Sequence, residues 1–457
     1  MPILSNAHRR CLDCMMRARL IVLRRCAQFV SLIFLFGIFL FLQKDFIFKT
    51  WSAWVFRLDP LIALATSLAA KKILLLFWPA FLVAILTLIL GRFFCGWICP
   101  MGTLLDVFYF FTKKLPRATF EKSKSLSLLK YILLAVILIA AIFGQSWMGY
   151  LNPFSILFHG ATAFFPSTRL SYVFAGILFF IFAFEFFERR FWCRYLCPNG
   201  ALMGWLARFA WLKKIPPRSC AHCNMCARQC RMDAFDERGD FQSENCALCM
   251  ECVQHCPQNL IRFSWQKPTS IAFEPSRRTF FISLISGLAI PTLAHALSKK
   301  ITPPLRPPGA LPEKDFLQRC VRCGACIQVC PTKCLQPTLL ESGIDGAFSP
   351  QFTPRIAACR HDCNACTQVC PTKALKPLSL EEKQKFVIGQ ARVDIEHCLT
   401  YQNISCLDCV KACPVGAIEF HAGHPRVVPS KCIGCGACEN ICPAQGAVAI
   451  ELRGSAS

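Results

Sequence analysis

Cysteine spacing constrains this chain more than anything else in it. Of its 32 cysteines, most fall into complete quartets, and the compact copies read Cys-x-x-Cys-x-x-Cys-x-x-x-Cys. Two quartets sit mid-chain: Cys220, Cys223, Cys226, Cys230 and Cys246, Cys249, Cys252, Cys256. Four more follow: Cys320, Cys323, Cys326, Cys330; Cys359, Cys363, Cys366, Cys370; Cys398, Cys406, Cys409, Cys413; and Cys432, Cys435, Cys438, Cys442. Three thiolates on one tight loop can hold three corners of an iron–sulfur cubane, while the fourth, usually ahead of proline, reaches the neighbouring cluster. A zinc site needs no such exchange, and a disulfide framework belongs to small secreted domains. Six [4Fe-4S] clusters in three pairs are therefore expected, with iron held through these cysteines.

Crossing predicts Cys220, Cys223, Cys226 and Cys256 around one cluster, and Cys246, Cys249, Cys252 and Cys230 around the other. For the last four motifs the expectation is that the outer two pair with each other and the inner two likewise. The inner motifs depart from the compact spacing, with three and seven residues after their first cysteine, yet each still supplies four thiolates. No Cys-x-x-Cys-His occurs, so any c-type haem must belong to a partner.

Hydrophobic residues make up 54% of the chain, too many for an ordinary soluble protein. Apolar runs over 27–42, 73–90, 126–143 and 172–187 are each close to the roughly 20 residues that cross a bilayer. Basic residues before the first run, between the second and third (Lys113, Lys114, Arg117), and after the fourth (Arg189, Arg190) put those ends in the cytoplasm. The formal charge of +24 is explained this way, and nucleic-acid binding is set aside.

The runs repeat. Asp59-Pro60-Leu61 ahead of FFCGWICPMG is echoed by Asn152-Pro153-Phe154 ahead of FWCRYLCPNG, so each half reads as one helical hairpin ending in Cys-x-x-x-Cys-Pro. Cys95, Cys99, Cys193 and Cys197 are thus candidates for a redox role, a metal-ligand role, or mere shaping of the membrane end. Trp205, Phe209 and Trp211 beside Arg208 suggest an interfacial helix. Cys11, Cys14, Cys26 and Cys334 read as ordinary thiols.

Further on, Arg277 and Arg278, Phe280 and Phe281, a short apolar run and Ala294-His295-Ala296 look like a twin-arginine signal with a small-residue cleavage site. The expected fold class is an α-helical membrane domain of four transmembrane helices in two repeated hairpins, plus a fifth signal or anchor helix, with α+β bacterial ferredoxin-like [4Fe-4S] domains. Its divisions are 1–215 membrane domain, 216–265 cytoplasmic two-cluster ferredoxin, 275–298 signal or anchor, 299–312 Pro-rich linker and 313–457 periplasmic four-cluster domain. An ionisable group inside a membrane helix is a functional candidate, which singles out Glu185 as a quinol proton acceptor, with His159 and Asp59 as alternatives.

On the two Cys-x-x-x-Cys-Pro elements, the four helices and the paired ferredoxin motifs, residues 1 to about 265 resemble NapH, the membrane ferredoxin of periplasmic nitrate reductase systems. From about 275 onward the chain resembles NapG, the exported ferredoxin of the same systems, so the whole looks like a natural fusion of the two. The membrane half is also similar to NosR-type and cytochrome oxidase assembly proteins, and the layout to the ferredoxin pair of methylamine utilisation. The resemblance implies a quinol dehydrogenase of the bacterial inner membrane. Electrons from menaquinol or ubiquinol would pass to a periplasmic c-type cytochrome or reductase, such as nitrate reductase. The other reading is a redox maturation factor for a metalloenzyme, in which the membrane thiols do the work.

Overall fold

The structure is a computed structural model that describes residues 3–41, 46–112, 124–161, 169–215, 223, 225–235, 241–257, 260–265, 285–289, 292–293, 304–339, 343–444 and 449–453. The apolar runs are helical. Helix α1 spans Ile3–Phe41, α7 spans Lys124–Ile142 and α10 spans Arg169–Phe187. The second run is interrupted: a 3-10 turn at Leu75–Phe77 precedes α4 (Trp78–Leu90), because Pro79 can start a helix but not sit inside one. Among the described residues, only Arg19–Ile38 is long and apolar enough to cross a membrane by itself; Pro60–Ala69, Leu75–Leu90, Leu126–Ile142 and Ala175–Phe187 are shorter apolar helices.

The stretches between these runs are not loops, which corrects the picture of two plain hairpins. Helices α2 (Phe46–Arg57) and α3 (Pro60–Ala69) follow α1, and α8 (Met148–Leu151) and α9 (Pro153–Ala161) follow α7. Asp59 caps α3 through the N–H groups of Leu61 and Ile62, with Pro60 pre-set for the first turn. Asn152 does the same for α9 through the N–H groups of Phe154 and Ser155. The Asp-Pro and Asn-Pro echoes are therefore two N-caps, and their side chains meet: Asn152 Nδ2 donates to Asp59 Oδ2 at 2.7 Å.

Each Cys-x-x-x-Cys-Pro element likewise starts a helix. Helix α5 (Phe93–Trp97) leads into α6 (Pro100–Thr112), and a π turn at Trp192–Leu196 leads into α11 (Pro198–Ala207). The expected interfacial helix through Trp205, Phe209 and Trp211 does not form as one: α11 ends at Ala207, and Phe209 and Trp211 lie in the turn that leads to the strand Leu212–Ile215. Helix α11 packs along α4 and α7 and leaves Trp205 exposed, and Phe209 and Trp211 just past its end are exposed as well. Other large apolar side chains are bare as well, among them Ile73, Leu75, Phe81, Ile85, Phe111 and Phe179.

Among the described residues strands are short and paired only in twos. Strand β1 (Leu212–Ile215) runs antiparallel to β2 (Arg262–Trp265), with Leu212 opposite Trp265, and the two close the first ferredoxin unit. In the C-terminal part β3 (Leu335–Pro337) pairs β4 (Pro350–Phe352), β5 (Gln390–Val393) pairs β8 (Ile450–Arg453), and β6 (Ile418–His421) pairs β7 (His424–Val427).

The two ferredoxin parts dock on different surfaces of the helical domain. The first unit meets α1, α5 and α11: Arg24 donates to the Cys249 carbonyl at 3.2 Å, Trp97 Nε1 to Leu248 O at 3.1 Å and Arg92 to Glu244 O at 2.9 Å. The C-terminal part meets α2, α8 and α9. Arg57 donates to Pro371 O at 3.2 Å, Tyr150 OH to Ile344 O at 2.6 Å, Trp147 Nε1 to Asp345 at 3.2 Å and Gln328 to Phe158 O at 2.6 Å. The fit is tight enough that a Cβ added at Gly149 would lie 2.1 Å from the Val321 carbonyl oxygen.

Candidate functional site

The cysteine loops share one backbone design. After the first cysteine of three quartets, the second and fourth following residues have positive φ: Leu248 and Met250, Arg322 and Gly324, Gly434 and Gly436. Three residues after the fourth cysteine of four quartets stands another: Asp233, Lys333, Lys373 and Gly416. Alternating the hand of successive residues turns their N–H groups to one side, which makes an anion nest. The sulfurs accept such N–H bonds, Cys230 from Ala234 at 3.2 Å, Cys246 from Leu248 at 3.4 Å, Cys370 from Leu375 at 3.4 Å and Cys413 from Ala417 at 3.2 Å. Nests of this kind suit an anionic iron–sulfur cluster, and these thiols are the residues able to hold it.

The structure brings Cys230 beside Cys246 and Cys249, as crossing predicts. Cys220, from the companion set, lies outside the described residues; Cys223 is exposed, and Cys226, Cys252 and Cys256 are part-buried. In the C-terminal part the expected outer–outer and inner–inner pairing is wrong. Cys370 stands within charge-interaction range of Cys320, Cys323 and Cys326, and Cys330 joins Cys359, Cys363 and Cys366. Likewise Cys398, Cys406, Cys409 and Cys442 line one cavity, while Cys413 accompanies Cys432, Cys435 and Cys438. Neighbours in sequence pair because the helices after the first two motifs, Ala325–Val329 and Ala365–Gln368, pack on each other, as do Asp408–Ala412 and Ala437–Ile441.

Burial pushes the thiols of Cys246 and Cys438 up to about 12 and that of Cys409 to about 11. Unassisted they stay protonated at neutral pH; iron supplies the positive charge that keeps such groups as thiolates. Cys330 and Cys359 are exceptions: each is lowered by hydrogen bonding with Cys334, Cys330 to about 5, and the Cys334 sulfur lies 3.5 Å from that of Cys330. Cys334 is buried and also reaches Cys359, so it is a neighbour of the cluster ligands rather than an unrelated thiol. Its spacing, four residues after Cys330, gave the only hint.

The membrane-side candidates divide. Glu185 is buried, and Oε1 accepts the Arg190 N–H at 2.8 Å instead of pairing with Arg189, whose guanidinium lies 4.3 Å from the centre of the Tyr109 ring. Asp59 is committed to α3, Asn152 and Asn199, and His159 Nε2 donates to the Arg322 carbonyl at 2.7 Å. Cys95, Cys99, Cys193 and Cys197 come together from the two repeats, within charge-interaction range of one another. Cys26 is exposed, and the side chains of Cys11 and Cys14, the twin arginines and Ala294-His295-Ala296 lie outside the described residues.

Sequence reasoning missed a buried ion network. Asp106 on α6 accepts from Arg190 and Arg24 at 2.7 and 2.8 Å and from Arg231 at 2.8 Å, and Arg231 also pairs with Glu251. It ties α1, α6 and the first ferredoxin together. A cavity of about 580 Å³ opens beside it, lined by apolar side chains such as Phe29, Phe110 and Phe111 and by charged or polar ones such as Arg24, Asp106, Arg189, Arg231, Glu251 and His255.

Comparison with known proteins agrees with this chemistry. A 4Fe-4S binding domain family matches residues 73–118 and 170–219, and 4Fe-4S dicluster domain families match 319–375, 358–417 and 404–447. The methylamine utilization ferredoxin-type protein MauM of Methylorubrum extorquens is 36% identical over 188 residues, 37% of this chain and 84% of that protein. The ferredoxin-type protein NapG of Escherichia coli is 37% identical over 152 residues, 30% of this chain and 65% of that protein. The putative electron transport protein YccM of Escherichia coli is 30% identical over 245 residues, 50% of this chain and 66% of that protein. With nested thiol loops and relatives of this kind, the chain belongs to the ferredoxin-type 4Fe-4S proteins and is an iron–sulfur electron-transfer protein.

Proposed function

We propose that the chain is a quinol-oxidising electron-transfer protein of the bacterial inner membrane, with the first ferredoxin in the cytoplasm and the C-terminal domain in the periplasm. In this reading the four apolar helices span the bilayer in two halves, a segment over 275–298 carries the chain back across, and six [4Fe-4S] clusters are held by the quartets. The chain then combines NapH-like and NapG-like parts, and a periplasmic c-type cytochrome or reductase, nitrate reductase for one, takes the electrons. The bare apolar side chains around the helices support the bilayer as partner, since soluble monomers seldom expose such a surface.

The observation that carries the quinol reading is the cavity between α1, α6 and the first ferredoxin. Its volume of about 580 Å³ is in the range of small-molecule sites. Two of its lining side chains, Phe29 and Phe111, are exposed by 64% and 75%, which suits entry of a ring from the lipid phase. His255 Nδ1 donates to the Glu251 carbonyl at 2.9 Å, which leaves Nε2 as the basic nitrogen to accept a hydroxyl proton. Cys252 and Cys256 are its sequence neighbours, so a cluster lies within reach of the electron. Glu185 does not line this cavity, and His255 replaces it as the proton acceptor.

The test is anaerobic reduction of the cluster-loaded protein in lipid nanodiscs by a menaquinol analogue, followed by EPR. Rapid reduction by quinol, slowed in His255→Ala while dithionite still reduces the variant fully, is the expected result. Reduction by dithionite but not by quinol in the native protein overturns the quinol role.

A further inference from the structure

We propose that the enlarged loop 399–405, with Asp394 and Glu396 beside it, is the electron-exit surface of the chain, where a haem protein with a basic face docks over the outermost cysteine set. The choice of a haem protein rests on the reading of a c-type cytochrome as acceptor; the place and charge of the surface rest on the C-terminal part itself.

The four cysteine sets of that part stand in one line. The set of Cys320, Cys323, Cys326 and Cys370 faces the helices: a Cβ on Gly324 would lie 2.8 Å from the His159 ring, and Arg57, which donates to Pro371 O, faces Cys370. Cys326 of this first set neighbours Cys366 of the second. The second touches the third, because the Cys359 N–H donates to the Cys435 carbonyl at 2.9 Å. Cys438 of the third neighbours Cys409 of the fourth. The bonds that Arg57, Trp147, Tyr150, Phe158 and His159 make with the C-terminal part land between Arg322 and Pro371, at the opposite end from this fourth set. An electron that travels the line from the helices thus leaves from Cys398, Cys406, Cys409 and Cys442.

That end carries a loop longer than a cluster requires. Two residues separate the first two cysteines of a compact motif, but seven separate Cys398 from Cys406. They form a 3-10 turn, Leu399–Gln402, closed by Asn403 at a φ of 63°. The loop is held against the site: Thr400 Oγ1 lies 3.3 Å from the Cys398 sulfur, and Gln402 donates to the Glu396 carbonyl at 3.1 Å. The Tyr401 ring stacks on His424 with centroids 3.9 Å apart. Tyr401 and Ile404 are nevertheless exposed, as are Ile395 and Leu407, the latter directly after Cys406. A fixed aromatic ring among apolar neighbours is the anatomy of a docking hot spot. Electron-transfer encounters need only a small interface, so a patch confined to one loop and one turn is enough.

Charge selects the partner. From Val393 to Val410 the chain carries Asp394, Glu396 and Asp408 and no lysine or arginine, although its net charge is +24. Glu396 and Asp408 are exposed, and the half-exposed Asp394 holds His397 at 2.8 Å. Lys431, further along, is already paired with Glu419 at 2.9 Å. Acidic groups around an apolar centre complement a partner whose cofactor edge is ringed by lysines, speed the encounter and turn away acidic proteins. One electron passes from the reduced fourth set to ferric haem, which becomes ferrous, and no proton or atom is transferred.

The experiment takes the full-length protein in lipid nanodiscs, reduces it with dithionite, removes the excess and mixes it with a basic cytochrome c in a stopped-flow spectrophotometer. The second-order rate should fall as salt rises, and should be about tenfold lower in Asp394→Lys/Glu396→Lys at low salt, a difference that closes at high salt. Tyr401→Ala/Ile404→Ser should slow it severalfold at both salts, with the EPR signals of the clusters kept. Carbodiimide coupling of the native protein to the cytochrome, mapped by mass spectrometry, should join lysines of the cytochrome to Asp394, Glu396 or Asp408. Equal rates in the native protein and both variants, or coupling confined to other carboxylates, overturn the surface. Should the variants fail to accumulate, the coupling map of the native protein decides alone. Dithionite supplies the electrons, so failure of quinol reduction leaves this result standing, and quinol still reduces the clusters if the surface is wrong.

Discussion

The side-chain amide of Asn199 donates to Oδ2 of Asp59 at 3.1 Å, across 140 residues of sequence. One residue opens a half-length helix after α2, and the other follows the Cys-Pro of the second repeat, so two motifs assigned to opposite ends of the helices in fact touch. Asp59 also takes Asn152 and the two N–H groups of α3, and is fully buried.

Asp59→Ala should therefore be severe. It strands two amide donors and uncaps α3; each unsatisfied buried group costs about 1–3 kcal/mol and a lost cap about 1 kcal/mol. Thermal unfolding in detergent should fall sharply, with Asp59→Asn intermediate. A Tm of the alanine variant equal to that of the native protein would refute this account of the joint.

Gly149→Ala places a methyl 2.1 Å from the Val321 carbonyl and should pry the C-terminal domain from α8. Limited proteolysis between residues 265 and 304 should speed up while both cluster parts keep their EPR signals. Unchanged cleavage would mean that the docked arrangement is not the solution state.

Sequential crossing predicts which variants share a phenotype. Cys323→Ser and Cys370→Ser should lose the same EPR signal, and Cys330→Ser and Cys363→Ser a different one. If Cys323→Ser matched a variant of the last motif, such as Cys442→Ser, the outer motifs would be paired after all.

Cys334 lies 3.5 Å from the Cys330 sulfur, and a hydrogen bond to a ligand sulfur favours the reduced cluster. A bond worth about 1 kcal/mol corresponds to about 40 mV for a one-electron couple. Cys334→Ala should lower the midpoint of that cluster by this order in a dye-mediated EPR titration, leaving the others in place.

Asp106 is buried, which alone would raise its pKa, but Arg190, Arg231 and Arg24 outweigh this and hold it below the usual carboxylate range. Its stabilisation is therefore present above the unfolded-state pKa and lost only as pH falls through the lower folded value. The link between α6 and the first ferredoxin should keep the same stability from about pH 7 to pH 5. Asp106→Asn, which leaves several cations uncompensated, should cost about 3–5 kcal/mol, read as a lower Tm at every pH in that range.

The sequence by itself determined the chemistry. Thiol spacing is a local constraint, because a loop of a few residues either presents three sulfurs to a cluster or does not; the quartets, the apolar runs and the repeat of Cys95-Cys99 in Cys193-Cys197 were legible for that reason. Which motif receives each fourth cysteine was not, since Cys330 and Cys370 are equally free in sequence and only the packing of their following helices chooses. The same holds for Asp59 with Asn199, for Asp106 with its arginines, and for Arg92 with Glu244: each member alone looks like a turn or a surface residue. Only the tertiary structure decided that they meet, because a buried polar group reveals its role through the partner that satisfies it, and these partners are between 82 and 152 residues away.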